Sequence, residues 1–326
     1  MASKMIGIDI GSNLIKFAVC SNGVVEKTVA ERIPEGFIKN GRVAAPGAMS
    51  EFLKTVCKER GIRPGPCALI LPPEVVLAHR VTMPVMAEKE LMLNLPFEFR
   101  DFVGNETGKY DYDYSVVEVR DKAMVLYAAA VAKDVAEAYY EVLKKAGFTL
   151  KLAMPVEMAW LNLIRKAKNE PKTLCVLDAG HSVTRVSIYS NENYEMGREI
   201  EMGGKSVDQA IASFQQIDPY AARTRKEADL DDITSADCCA DVYADIAVEV
   251  MRIVNFYRSN ANNGAELQDI YYCGGSAMLK SLRTAVLKRT NMTLHHISRL
   301  VSAAPGVEED SLLFCALAVG AAVQNQ

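Results

Sequence analysis

Two segments of the chain carry the same spaced set of an acid, a glycine and a base. The first is Ile6-Gly7-Ile8-Asp9-Ile10-Gly11-Ser12-Asn13-Leu14-Ile15-Lys16, and the second is Cys175-Val176-Leu177-Asp178-Ala179-Gly180-His181-Ser182-Val183-Thr184-Arg185. Asp9 aligns with Asp178, Gly11 with Gly180 and Lys16 with Arg185. The chemistry of such a set is phosphate and cation binding. Glycine lets backbone N–H groups approach phosphate oxygens closely, and a carboxylate can hold a hydrated metal ion. A duplicated acid–glycine turn is what two lobes need to close around a nucleotide. Either copy alone reads equally as an Asx-type turn between two strands.

A third element is Ile270-Tyr271-Tyr272-Cys273-Gly274-Gly275-Ser276-Ala277, a strand, a Gly-Gly-Ser turn and a helix start. Glycines at that point allow close backbone contact with a purine or a ribose; the alternative is an ordinary βα turn. Glu157 stands in the first turn of a predicted helix. It is the candidate for orienting an attacking water, or simply an acid favoured by the helix dipole. The adjacent His295-His296 lack the i,i+4 spacing of a helical metal site, and Trp160 falls at core spacing.

These residues need strands and helices to place them. Strands are predicted at Met5–Ile10, Ile15–Cys20 and Val24–Ile33, the last after the hairpin signal Asn22-Gly23. A helix over Ser50–Arg60 stops at Gly61, and a buried strand runs from Cys67 to Leu71. Met83 to Lys151 reads as an inserted α+β module. It holds a helical stretch from Glu88 to Val103 kinked at Pro96, a hairpin of Tyr110–Val119 with Ala123–Val131, and a helix N-capped by Asp134. Pro155 opens another helix, and Thr173–Ile200 repeats the strand-rich start. Ser206 and Gln209 form a capping box, and Ala240–Ser259 is a long amphipathic helix. Strand Leu267–Cys273, helix Met278–Arg289 and a last helix from Ser311 to about Val323 complete an α/β alternation.

Composition narrows the function classes. The 326 residues are half apolar, enough for a core divided between two lobes. A net charge of −4 without a basic stripe argues against nucleic acid as the primary partner. The eight cysteines form no CxxC pair, and a disulfide between adjacent Cys238 and Cys239 would be strained; reduced, core-packing thiols are expected. The first residues lead directly into a strand, so no signal peptide is expected. The run Leu312–Val323 is shorter than the ~20 residues of a membrane span, so any membrane role is expected to pass through a partner.

The order of the elements carries a resemblance. First phosphate turn, linking helix, second phosphate turn, Gly-Gly-Ser turn and closing Ala/Gly-rich helix around Ala316-Leu317-Ala318-Val319-Gly320-Ala321 resemble the actin-like ATPase superfamily. Within it, the insert after Met83-Pro84 sits where the FtsA-like branch carries its own subdomain. Asp113–Val117, Leu126–Ala130, Ala146-Gly147-Phe148, Lys16 and Met154-Pro155-Val156-Glu157 are similar to the PilM family of type IV pilus assembly proteins. Ile253–Arg258 and Tyr271–Ser276 are similar to both FtsA and PilM, and the absence of a membrane-binding tail favours PilM. The resemblance implies an α/β, actin-like fold of two lobes around a nucleotide cleft. The first-lobe core would be 1–82, the inserted subdomain 83–153 and the linking helix 154–172. The second-lobe core would be 173–204 and 266–310, its helical subdomain 205–265 and the closing helix 311–326.

The resemblance also assigns roles. Asp9 and Asp178 would face Mg²⁺-bound ATP, mostly through water. Gly11, Ser12 and Asn13 would donate to one side of the phosphates, and Gly180, Ser182 and Thr184 to the other, with Lys16 reaching phosphate or merely solvated. Gly204 would lie near the ribose, and Gly274, Gly275 and Ser276 would hold the adenosine. Two positions depart from the pattern. Where a Glu and a Lys three apart are usual, Arg225 can stand for the Lys but Ala222 cannot stand for the Glu, and His181 replaces a small residue. The function implied is a cytoplasmic ATP-binding adaptor, peripheral at the inner face of the membrane. It would bind the N-terminal peptide of a PilN-type bitopic protein in a groove lined by Met83–Phe99 and Ala123–Ala130, alongside other inner-membrane components. A nucleotide-dependent, self-associating filament former and a small-molecule kinase are the competing readings.

Overall fold

The computed structural model describes residues 4–260 and 266–323. The expected subdomain end at 265, the first three residues of the first lobe and residues 324–326 of the closing helix lie outside the described residues. The chain opens with β1 (Lys4–Ile10), β2 (Leu14–Ser21) and β3 (Val24–Arg32), then the short pair β4 (Ile38–Lys39) and β5 (Arg42–Val43). Helix α1 (Pro46–Glu59) and β6 (Pro66–Ile70) follow. Next come β7 (Val76–Pro84), α2 (Glu88–Asn94), a 3₁₀ turn (Leu95–Phe99), α3 (Arg100–Val103), β8 (Tyr110–Arg120) and β9 (Ala123–Ala132). Helix α4 (Lys133–Lys145), β10 (Thr149–Met154) and α5 (Val156–Lys166) complete the first half. The second half runs β11 (Leu174–Ala179), β12 (Thr184–Ser190), β13 (Asn193–Ile200), α6 (Gly204–Gln215), α7 (Pro219–Glu227) and α8 (Asp237–Asn260). It ends with β14 (Asp269–Cys273), α9 (Lys280–Thr290), β15 (Thr293–His296) and α10 (Glu309–Ala322).

Two five-stranded sheets share one topology. The first is ordered β10-β6-β1-β2-β3, and the second β13-β12-β11-β14-β15. In each, three antiparallel strands form a meander, a fourth strand pairs in parallel with the first, and a fifth pairs in parallel with the fourth. Read from the meander end, the orders superpose, with β1 matching β11, β2 matching β12 and β6 matching β14. The sequence duplication is therefore a duplication of whole lobes. Helices α5 and α10 cross between them. A Cβ on Gly320 would fall 2.3 Å from the Ala159 carbonyl oxygen, so only glycine permits that crossing. The Asn162 side chain donates to the Gly320 carbonyl at 3.0 Å and fixes the register of the pair.

The inserted subdomain is smaller than 83–153. Its three-stranded sheet, β7-β9-β8, begins at Val76 and ends at Ala132. Val135, Tyr139, Val142 and Leu143 of α4 instead pack with Ile8, Phe17 and Leu69 in the first-lobe core, and β10 pairs with β6. Only β7, β9, β8 and the helices between them stand apart, around Val81, Leu91, Leu95, Phe99 and Leu126.

Local chemistry corrects several expected boundaries. Pro96 breaks the stretch 88–103 into two short helices around a 3₁₀ turn, because its ring excludes a regular helical interior. Asp134 lies in the first turn of α4 and pairs with Arg42 at 2.9 Å, while Ala132 occupies the N-cap. Ser206 is inside α6, where its hydroxyl accepts from the Gly203 N–H at 3.3 Å. Helix α1 starts at Pro46, four residues before the apolar face suggested, since proline is pre-set for a first turn. All eight cysteines are free, and only Cys238 is not fully buried.

Candidate nucleotide cleft

Asp9 and Asp178 end the central strands of the two sheets, and each faces a base one hairpin away. The register pairs Asp9 with Lys16 and Asp178 with Arg185. The same turn closes both hairpins: the Gly11 N–H donates to the Leu14 carbonyl at 3.0 Å, and the Gly180 N–H to the Val183 carbonyl at 3.0 Å. A Cβ on Gly180 would sit 2.7 Å from the Val183 oxygen, so the tight turn needs glycine. Lys16 Nζ bonds the buried Asp9 carboxylate at 2.8 Å. Burial pulls the Lys16 ammonium down, but Asp9 and, across the cleft, Asp178 outweigh that and hold it above its usual range. One lysine therefore feels both acids, and the two hairpins meet there.

Asp178 is set differently. Burial pushes its carboxyl up, against the opposing charges of Arg185 and Lys16. Arg185 bonds Glu199 of β13 at 2.5 Å and reaches Glu74 of the first lobe at 4.0 Å. Its charge thus spans the lobes beneath the two acids.

Around the second hairpin three glycine turns interlock. The Gly204 N–H donates to the Gly180 carbonyl at 3.0 Å, and the Ser276 hydroxyl donates to the same oxygen at 2.8 Å. Gly274 takes φ +87°, and a Cβ there would strike the Ala179 carbonyl at 2.4 Å and the Asp178 carboxylate at 2.6 Å. A Cβ on Gly204 would reach Ser276 Oγ at 2.7 Å, Lys226 Nζ at 3.2 Å and His181 Nδ1 at 3.6 Å. The structure so brings Asp178, Gly180, Gly204, Gly274 and Ser276 together. Asn13 joins from the first lobe: its side-chain carbonyl accepts from Arg223 at 3.2 Å.

Two assigned positions lie elsewhere. Thr184 is fully buried and its hydroxyl donates to the Met202 carbonyl at 2.8 Å, so it anchors the strand rather than facing phosphate. Arg225 turns outward to Asp231 at 2.6 Å. Its neighbour Lys226 points inward, bonding the Gly204 carbonyl at 2.8 Å and buried Asp208 at 2.6 Å. Helical spacing gives the reason. Arg223 and Lys226 are neighbours at i,i+3 on one side of Ala222, and Arg225 lies on its other side. Ala222 itself is fully buried, where a carboxylate would need a partner. Burial, with the charges of Arg223 and Lys226, pushes the His181 imidazole below its ordinary range, against the charge of Asp208.

Helix α7 also spans the cleft mouth. Arg32 of β3 bonds Glu227 at 2.6 Å, and the Tyr220 hydroxyl donates to Glu35 at 3.4 Å. At the cleft floor, Glu157 opens α5. Burial pushes its carboxyl up, and a hydrogen bond from Tyr127 of the inserted sheet and the charge of Arg185 oppose that shift. Tyr189 donates to the Glu157 carbonyl oxygen at 2.9 Å. Tyr127, Arg223 and Lys226 carried no local sequence signal beyond their helix or strand period.

This donor set fits a nucleotide with a hydrated cation. Two acids with adjacent bases, and glycine turns that a Cβ would fill, leave room and charge for phosphates. Among the described residues no three His, Cys, Asp or Glu side chains form a direct metal cage. No helix among them is long and apolar enough to cross a membrane.

Duplicated lobes, crossing helices and paired acid–glycine hairpins define the actin-like ATPase fold. The family described as "Type IV pilus assembly protein PilM" matches residues 7–324, and the chain belongs to that family. A solved structure described as a PilM-PilN type IV pilus biogenesis complex is similar at TM-score 0.85 and 21% identity, over 99% of each chain. The ethanolamine utilization protein EutJ from Carboxydothermus hydrogenoformans is similar at TM-score 0.63 and 15% identity, over 98% of this chain and 89% of its own. MreB5 of Spiroplasma citri bound to AMPPNP is similar at TM-score 0.54 and 14% identity, over 97% of this chain and 94% of its own. No curated protein matches the sequence.

Proposed function

We propose that the chain is an ATP-binding cytoplasmic adaptor of type IV pilus assembly. It would work at the inner face of the membrane by binding the N-terminal peptide of a PilN-type protein. The observation that carries the nucleotide half is Lys16, which bonds Asp9 and also feels Asp178, so the two hairpins converge on one charged point. In this reading Gly11, Ser12 and Asn13 face one side of the phosphates, and Gly180 and Ser182 the other. Gly204, Gly274 and Ser276 hold the nucleoside with Lys226, in place of Arg225. Asp9 and Asp178 take Mg²⁺ through water, and the bound cation would screen the phosphates. Glu157 is the candidate to hold a water near them, with slow hydrolysis at most.

The partner half is supported by the PilM-PilN complex, a structure that is similar over the whole chain. Leu91, Leu95 and Phe99 of the expected groove lining are core residues of the subdomain, as is the Met124, Leu126, Ala128 and Ala130 face of β9. The peptide surface then falls to the opposite face of that sheet, where it meets the first lobe.

Calorimetric titration with Mg-ATP tests the reading. The D9N/D178N double variant should bind at least about ten-fold more weakly while still unfolding cooperatively, at a lower melting temperature because Lys16 loses its buried partner. Equal affinity in that variant would overturn the cleft assignment. Nucleotide-dependent pelleting without peptide binding would favour a filament former instead.

A further inference from the structure

The inserted sheet touches the cleft floor through two side chains that are direct cross-strand partners. The register pairs Arg80 of β7 with Tyr127 of β9. Side chains opposite one another in an antiparallel pair leave the same face. That face is opposite the one filled by Val81, Leu126, Ala128 and Phe99, so both prongs point at the lobes.

Each prong grips a different part of the cleft wall. Arg80 bonds Glu195 at 2.7 Å and the Tyr194 carbonyl at 3.3 Å, both on β13 of the second lobe. Tyr127 is buried, its ring lies 5.1 Å from that of Tyr194, and its hydroxyl stands next to the Glu157 carboxyl. Tyr194 stacks in turn on Tyr189 at 5.6 Å, and Tyr189 holds the Glu157 carbonyl. Glu157 therefore meets the insert through its side chain and the second lobe through its backbone carbonyl. The same sheet face borders the first lobe at its base, where Val76 and Val131 pack against the first-lobe core.

We infer that Tyr127 is a positioning residue that couples the inserted sheet to the nucleotide cleft through Glu157, with the Arg80–Glu195 pair as a second tie. This rests on the adaptor reading above and adds its route. A peptide wedged between the insert and the first lobe tilts the sheet. Tilting carries the Tyr127 hydroxyl relative to Glu157 and draws β13, and with it Glu199 and Arg185, relative to Asp178. The states with Tyr127 bonded and released then differ in nucleotide affinity, which is what reciprocal coupling requires.

The test is a thermodynamic cycle by calorimetry. The probes are Mg-AMPPNP and a synthetic copy of the cytoplasmic N-terminus of the organism's own PilN-type protein. In the wild type, saturating peptide should change Mg-AMPPNP affinity about five-fold or more. In Y127F, which removes one oxygen and keeps the ring, each ligand alone should bind within about two-fold of wild type, while the peptide effect shrinks to under about two-fold. E195Q, at a half-exposed position, should reduce the coupling partway, and it serves as the reading if Y127F fails to fold. Full coupling in both variants would overturn the inference and leave the adaptor reading standing. Loss of either binary affinity in Y127F would make Tyr127 a ligand contact and overturn it as well. No coupling in the wild type would remove the adaptor reading, and the inference with it.

Discussion

The two lobes present the same hairpin on different foundations. In the first, Lys16 closes directly on Asp9, and the acid is neutralised from within its own hairpin. In the second, Glu199 on the neighbouring strand takes Arg185 at 2.5 Å, and Asp178 keeps a more weakly compensated charge in a buried site. A duplicated sequence has thus yielded one paired acid and one poised acid. The difference lies in the third strand. The residue opposite Lys16 on β3 is Ala30, whereas the residue opposite Arg185 on β13 is Glu199. The lesson is that aligned bases need not do aligned work: a cross-strand neighbour outside the motif decides where the charge goes.

Under the hairpins the contrast deepens. Gly7 in β1 is overlain by α10, and a Cβ there would fall 1.7 Å from the Ala318 carbonyl oxygen. The matching position in β11 is Val176, which belongs to a core filled by Trp160, Tyr189 and Tyr271. The first lobe brings its helix onto the backbone, while the second uses aromatic rings as spacers. One of those rings, Tyr189, bonds the Glu157 carbonyl, so the second lobe's foundation also shapes the cleft.

The comparison breaks most visibly at Gly7. Gly7→Val should cost about 4 kcal/mol or more and abolish cooperative folding, whereas Val176→Ala should cost only about 2 kcal/mol, as read from urea midpoints. Next in size are the two bases. Lys16→Met leaves a buried carboxylate alone and should cost about 3 kcal/mol. Arg185→Met leaves half-exposed Glu199 and takes one of two opposing charges from buried Asp178, which Lys16 still faces, and should cost less, about 2 kcal/mol. Equal losses in the two variants would sink the distinction between a paired and a poised acid. The smallest effect is on pH dependence. The folded state raises the Glu157 carboxyl above its ordinary 4.5, which favours the protonated form. Its contribution to stability is therefore full below the unfolded value and is lost as pH rises through the folded one. The wild-type melting temperature should fall relative to Glu157→Gln over that rise; parallel curves would show that the carboxyl is not desolvated.

Several elements were plain in the residues. Alternating apolar runs bounded by Asn22-Gly23, Gly61 and Pro72-Pro73 mark the first four long strands and the helix between them, because period and turn chemistry are local. Both Asp–Gly turns join the strands that the duplication predicts, and the Gly-Gly-Ser turn follows its predicted strand. Boundaries that depended on packing moved. The helix 134–145 reads as part of the insert by its place in the chain, yet its apolar face finds the first-lobe sheet. Arg225 and Lys226 are adjacent cations of equal sequence merit, and only the phase of α7 against α6 sends one to the Gly204 turn and the other to Asp231.

Residue order by itself determined the duplicated hairpins, the α/β alternation and the glycines without which the turns and the helix crossing cannot close. These follow from backbone sterics and side-chain period, which act over a few residues. Tertiary structure alone decided which acid is paired, that Thr184 faces inward, and that Tyr127 and Glu157 meet. Those outcomes depend on contacts between residues tens to hundreds of positions apart, set by how sheets and helices pack and by the cost of burying an uncompensated charge.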